Sequence, residues 1–275
     1  MTQAFNFLKI KFKVLFLFSI LFFSISMLSA QEKRTKFIIR TSLGDMKGEL
    51  FNETPIHRAN FIKLAKSGWY ENSYFHRVIN HFMIQGGHHA DGRDDAGYTV
   101  PAEFIPEKHV HLKGMLAAAR ENDDVNPTKA SSAAQFYIVQ GKVFSVEQLK
   151  AFEDKMNETN KKMAIDNYIL FPGNEKWLYK VDALMNANNE QGLAQLRVDI
   201  YKEMQAKGEA PKVFHYSENQ IKIYTTLGGT PHLDGSYTVY GRITEGFDVL
   251  DKIAASAVAG SRPIEKVSMK IQIIE

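Results

Sequence analysis

Cysteine is absent from all 275 residues, so no disulfide can form and no lipid can be attached to an N-terminal cysteine. A long hydrophobic run is nearly absent too. The single candidate, Val14 to Leu28, is interrupted by Ser19, Ser24 and Ser26 and falls short of the roughly 20 residues that span a bilayer. Lys9, Lys11 and Lys13 precede it, which is the layout of a secretory signal peptide over residues 1–30. We expect cleavage after Ala30, leaving Gln31 first, although Leu28 is large for its place before the cut. Export to the periplasm, with no stable membrane insertion after removal, follows from that reading. Charge of one sign is the third absence. Without the three lysines of the signal, 31 basic residues face 31 acidic ones, and the basic footprint that phosphate backbones require is missing. Nucleic acid is therefore excluded as a partner.

What remains is ample for a packed core: 44% of residues are hydrophobic, with 19 Phe. Lys36 to Thr41 and Met46 to Phe51 flank Leu43-Gly44-Asp45 and predict a β-hairpin. Thr54-Pro55 predicts a helix start, with Thr54 as N-cap, and Gly68 its end; Phe61, Ile62, Leu64 and Ala65 form the buried stripe. Short strand-like runs follow at Tyr74–Ile79, Phe82–Gln85, Gly114–Ala119 and Gln135–Val139, a pattern of sandwiches and barrels. From about 143 to 216 the character becomes charged and helix-periodic. Ser145 to Gln148 is a capping box, Leu149, Phe152 and Met156 share a face, and Pro172-Gly173 interrupts the pattern. Leu193, Leu196, Ile200 and Met204 mark another helix ending at Gly208, and Ser217 to Gln220 caps a short last one. Strand character resumes at Tyr237–Gly241, Phe247–Ala255 predicts a second packing helix, and Val267, Met269, Ile271 and Ile273 alternate in a final strand expected beside the first. No internal repeat or low-complexity segment is present.

The stretch Tyr70 to Gly87, YENSYFHRVINHFMIQGG, resembles the signature of the cyclophilins. Phe75, His76, Arg77, Val78, Ile79, Phe82, Met83, Gln85, Gly86 and Gly87 all fit it. The resemblance continues at Gly114–Ala119, Ala134–Ile138, Gly229–Gly235 and Val239–Gly241, leaving the helical segment unmatched. It implies a mainly β fold, a closed eight-stranded antiparallel barrel capped by two helices, here interrupted by a helical insertion within an isomerase domain of residues 31–275.

The implied activity is peptidyl-prolyl cis/trans isomerisation during folding of exported proteins. Amide resonance sets a barrier of about 18–20 kcal/mol, and uncatalysed X-Pro rotation takes tens to hundreds of seconds. As the bond twists, the prolyl nitrogen gains a localised lone pair, so a donor placed there favours the twisted state over either planar one. By resemblance, Arg77 is that donor, and Phe82, Met83, Tyr137 and Leu233 line the apolar pocket for the ring. Gln85 bonds substrate backbone, Ala119 and the backbone of Arg120 flank the preceding residue, and Gln135, His232 and Tyr237 complete the binding set. Three departures stand out. Tyr137 replaces the usual Phe and brings a hydroxyl that needs a partner. Ala118 replaces the usual Met, which implies local repacking. His232 and Tyr237 replace the Trp and His best known in eukaryotic members, which weighs against tight cyclosporin binding.

Other residues invite plainer readings. Phe136 is a core residue facing away from Tyr137, and His76 is expected to be a structural hydrogen-bonding residue. His81, His88, His89 and Asp91, with His109 and His111, have the chemistry of metal ligands but no ligand spacing. They are expected in solvated loops, with no metal and no cofactor. We expect a monomer acting on proline-containing polypeptides and unfolded clients. A catalytically weak chaperone or binding module, and a metal-dependent hydrolase using the histidine loops, are the competing readings.

Overall fold

The computed structural model describes residues 33–274; the expected signal peptide lies outside them. Phe37 and Ile39 are fully buried on one side of β1 (Lys36–Thr41), as period-two alternation requires. This strand pairs antiparallel with β2 (Gly44–Leu50) across a tight turn, and along its other edge with β12 (Ser268–Ile274). The last strand thus lies beside the first, with Met269 and Ile271 buried in the core. Between them run β3 (Ser73–Ile79), β4 (Met83–Gly86), β6 (Met115–Ala118), β8 (Phe136–Val139) and β9 (Val239–Glu245). The order β1-β12-β3-β4-β8-β6-β9-β2 closes the barrel, so the expected eight-stranded architecture is present and no long edge is left unpaired. Two short pairs in the loops were not legible beforehand: β5 (Thr99–Val100) with β7 (Ser131–Ser132), and β10 (Val258–Ala259) with β11 (Arg262–Pro263).

Two helices put their apolar faces into the barrel core. α1 (Pro55–Lys66) contributes Phe61 and Leu64, and α6 (Phe247–Ala254) contributes Val249, Leu250, Ile253 and Ala254. Thr54 occupies the N-cap position of α1, but its side chain makes no capping bond. The Glu103 carboxylate serves instead, accepting from the backbone N–H of Ile56 at 3.1 Å and His57 at 2.9 Å, and lying 2.7 Å from His57 Nδ1. A remote acid satisfies the orphan donors and suits the positive end of the helix.

Strand β8 is buried on both faces, which explains its unbroken apolar sequence. Phe136 and Ile138 point into the barrel, while Tyr137 and Val139 point out and join Phe51, Met83, Ala117 and Val239 in a second cluster on the outer wall. That outer cluster carries the site. A bulge in β3 decides what reaches it. Phe75 pairs with Gly86 but Arg77 pairs with Gln85, so His76 is one extra residue against β4. Phe75 and Val78 both enter the core, and the surplus residue lets Arg77 emerge outside with Gln85.

The helical insertion comprises α2 (Val146–Leu170), α3 (Glu175–Asn186), α4 (Glu190–Lys207) and α5 (Glu218–Thr226). Both capping boxes form, and Gly208 ends α4 in the left-handed conformation. Helix α3 is an addition to the sequence reading. Trp177, Val181 and Leu184 supply its apolar stripe and pack with Ile165, Ile169, Leu196 and Ile200 in a separate small core. A further cluster of Val110, Phe144, Leu149, Tyr216 and Tyr224 joins the insertion to the barrel. Entry and exit meet at Gly229, which bridges both Lys142 and Leu112. Among the described residues no helix is long and apolar enough to cross a membrane.

Candidate active site

Arg77, Phe82, Met83, Gln85, Ala119, Arg120, Tyr137, Leu233 and Tyr237 line one recess of about 90 Å³ on the outer barrel wall. The β3 bulge delivers Arg77, β4 delivers Met83 and Gln85, β8 delivers Tyr137, and the loop after the 3₁₀ turn Pro231–Leu233 closes the side with Tyr237. Arg77 Nη1 donates to Gln85 Oε1 at 3.1 Å, and Gln85 Nε2 donates to Gln135 Oε1 at 3.1 Å. Guanidinium carries five N–H donors, and Gln85 is the one hydrogen-bond partner of Arg77 among the described residues. The remaining donors are available to whatever enters the recess. Gln85 thus holds Arg77 in place through its amide oxygen.

The Tyr137 hydroxyl finds its partner behind the floor. It lies 2.9 Å from His111 Nε2, and His111 Nδ1 lies 2.7 Å from Asp234 Oδ1. The same carboxylate accepts from the His111 backbone N–H at 2.9 Å and from the Tyr224 hydroxyl at 2.5 Å. A carboxylate only accepts, so His111 Nδ1 donates to Asp234, and the opposite ring nitrogen, Nε2, pairs with the Tyr137 hydroxyl. His111, Asp234 and Tyr224 are almost wholly buried. Burial, reinforced by Tyr237 and Asp234, raises the Tyr137 pKa well above its ordinary value, so the phenol keeps its proton. The floor is therefore a fixed aromatic face with its polar tip turned away from the recess.

A grip for a small ring, apolar on most sides and overhung by one anchored guanidinium, is the arrangement that peptidyl-prolyl isomerisation calls for. The family model described as cyclophilin type peptidyl-prolyl cis-trans isomerase matches residues 36–170 and 209–273. The chain belongs to the cyclophilins. It is a peptidyl-prolyl cis-trans isomerase by that membership. A Staphylococcus saprophyticus protein named as a peptidyl-prolyl cis-trans isomerase is 29% identical over 247 residues, covering 87% of this chain and 92% of its own. Peptidyl-prolyl cis-trans isomerase-like 3 of Dictyostelium discoideum is 31% identical over 144 residues, covering 48% of this chain and 89% of its own. A solved cyclophilin type isomerase of Cryptosporidium parvum aligns with a TM-score of 0.49 at 19% identity, over 88% of this chain and 99% of that one.

Two residues of the expected set lie outside the recess of this cyclophilin. Gln135 stands behind Gln85 as its acceptor, and His232 is exposed beside the recess, its ring stacked on Phe82 at 5.5 Å. Arg120 contributes more than backbone. Its side chain donates to the carbonyls of Ser236 and Glu121, pairs with Asp123 at 2.6 Å, and lies 4.6 Å over the Tyr237 ring. This pins the recess wall.

The histidines also depart from expectation. His109 and His111 are buried, not in a solvated loop; His109 stacks on Phe51 at 4.1 Å. His76 is stacked on His88 at 3.6 Å with Nδ1 buried and without a hydrogen-bond partner, so it serves as a packing residue rather than a bonding one. Burial first, and then His88, lowers its pKa to about 4. Among the described residues no three His, Asp or Glu side chains converge as metal ligands would. His111 and Asp234 were missed as a site pair; the signal was the hydroxyl of Tyr137, which demanded a buried partner.

Proposed function

We propose that this isomerase turns X-Pro bonds of exported polypeptides, with Arg77 as the catalytic donor and the recess on Phe82, Met83, Tyr137 and Leu233 as the proline grip. One observation carries the assignment: Arg77 is held by Gln85 at the lip of that recess, 3.1 Å from the amide oxygen, with donors to spare. The ring is gripped by the apolar walls while the residue before it turns. Rotation localises the lone pair on the prolyl nitrogen, and a guanidinium N–H in reach binds this state better than either planar imide. In this reading Ala119 and the backbone of Arg120, both in the recess lining, flank the preceding residue, and the chemistry needs no cofactor.

A protease-coupled assay on a proline tetrapeptide tests the assignment. Arg77→Ala should lower kcat/KM by about 10²–10³, and Arg77→Lys should restore little, since a single ammonium lacks the planar fork. Wild-type turnover no faster than the uncatalysed reaction would instead favour a binding module on the same barrel. Export is supported by the lysine-led apolar segment at residues 9–28. N-terminal sequencing of protein from the extracytoplasmic fraction, with Gln31 first, is the expected result.

A further inference from the structure

A cavity of about 650 Å³, many times the recess, lies between helix α2 and the barrel rim. The two share Phe82. From that ring a row of aromatics leads away from the recess: Phe82 stacks on His232 at 5.5 Å, and His232 lies 5.6 Å from Phe152 of α2. Beyond Phe152 the cavity wall is the face of α2 that carries Met156 and Met163, positions one and three turns on. Methionines adapt to side chains of varied shape, and Met163 is 37% exposed. The cavity is within the range of ligand pockets, about 300–1,000 Å³.

We propose that this cavity is a second subsite for the same unfolded polypeptide whose proline occupies the recess. It takes a large apolar side chain near that proline, with an acidic neighbour paired to the lysines at its rim. The inference rests on the reading of the recess as the proline site. Charge supports the acidic element. Lys129, Lys142 and Lys155 line the cavity against one acid, Asp123, which already pairs with Arg120 and Lys129. Lys142 and Lys155 have no ion pair among the described residues. The wall is also held in place before anything binds. Asn157 exchanges two hydrogen bonds with the Phe214 backbone at 2.7 and 2.9 Å, and Glu153 accepts from Tyr216 N–H at 3.0 Å and lies 2.9 Å from His215 Nδ1. A pre-set wall lowers the ordering cost of binding.

The test uses the full chain and two fluorescein-labelled dodecapeptides with one central Ala-Pro. One carries Phe and Asp on both sides of it, and in the other these are Ala and Asn. Wild type should bind the first about tenfold more tightly by fluorescence anisotropy. Met163→Glu should abolish that preference. Lys155→Glu should cut it by about three- to fivefold, and the preference should weaken with added salt. Both positions are exposed, so folding is spared, and tetrapeptide kcat/KM should stay within about twofold of wild type. Equal affinities for the two peptides in wild type, or an undiminished preference in both variants, would overturn the subsite. Arg77→Ala separates the two readings, because it should lose turnover yet keep the peptide preference. If the wild type turns over no tetrapeptide, the proline-site reading falls, and with it the subsite as defined.

Discussion

A hydroxyl set into a pocket floor needs a hydrogen-bond partner, and Tyr137 shows what that need recruits: His111, Asp234 and Tyr224 in one buried chain. Tyr137→Phe keeps the ring that grips proline but leaves His111 Nε2 buried without its partner, which costs about 1–3 kcal/mol. Urea unfolding should show that loss while tetrapeptide kcat/KM changes only a few-fold. Titration adds a second expectation. His76 has a folded pKa of about 4 against an unfolded value near 6.5. Between those values the unfolded chain binds more protons, so stability is fully present above about pH 6.5 and is lost as the pH falls through about 4. His57, whose pKa burial also lowers, adds to the same slope. Urea midpoints measured from pH 7.5 down to 4 should fall, and His76→Phe, which keeps a flat ring on His88, should flatten the curve without abolishing it.

At the level of elements, the insertion hangs from a joint made of backbone. Gly229 has φ +152°, and a Cβ there would sit 2.2 Å from the His111 carbonyl oxygen. Its backbone bonds with Lys142 in both directions, at 2.9 and 3.3 Å. Gly229→Ala must therefore push apart the insertion's two ends and the strand-like segment bearing His111. The expected cost is on the order of 3 kcal/mol, read by thermal unfolding, with a raised KM as Tyr137 loses its fixed seat. The helices of the insertion show how local chemistry makes elements legible. Ser145 with Gln148, Ser217 with Gln220, and Gly208 announce boundaries that need no partner. Helix α3 starts at Asn174 without a side-chain cap, which is why Trp177 and Val181 passed unrecognised. The start of α1 failed in detail for the opposite reason: its cap, Glu103, is supplied from 46 residues away.

Across the whole molecule the barrel and the outer part of the insertion keep separate cores, so damage to one should be contained. Trp177 is buried in the small core, and Trp177→Ala removes enough to cost about 3–5 kcal/mol there. Hydrogen exchange should rise across residues 171–208 and stay unchanged in β1, β2 and β12, with tetrapeptide turnover preserved. The barrel was legible because its signature residues and alternating strands carry their own pattern, and so was the recess. Its supporting pairs, His111 with Asp234 and Arg120 with Tyr237, join positions more than a hundred apart and left no local trace. Simple alternation would also have put Phe75 and Arg77 on one side of the wall. A single supernumerary residue, His76, reverses the parity of β3 midway. Excising it would leave Phe75 and Arg77 as direct neighbours on an unbroken ladder opposite Gly86 and Gln85, so a protein shorter by one residue would still hold its guanidinium outside and would lose only the local kink and twist that the bulge adds.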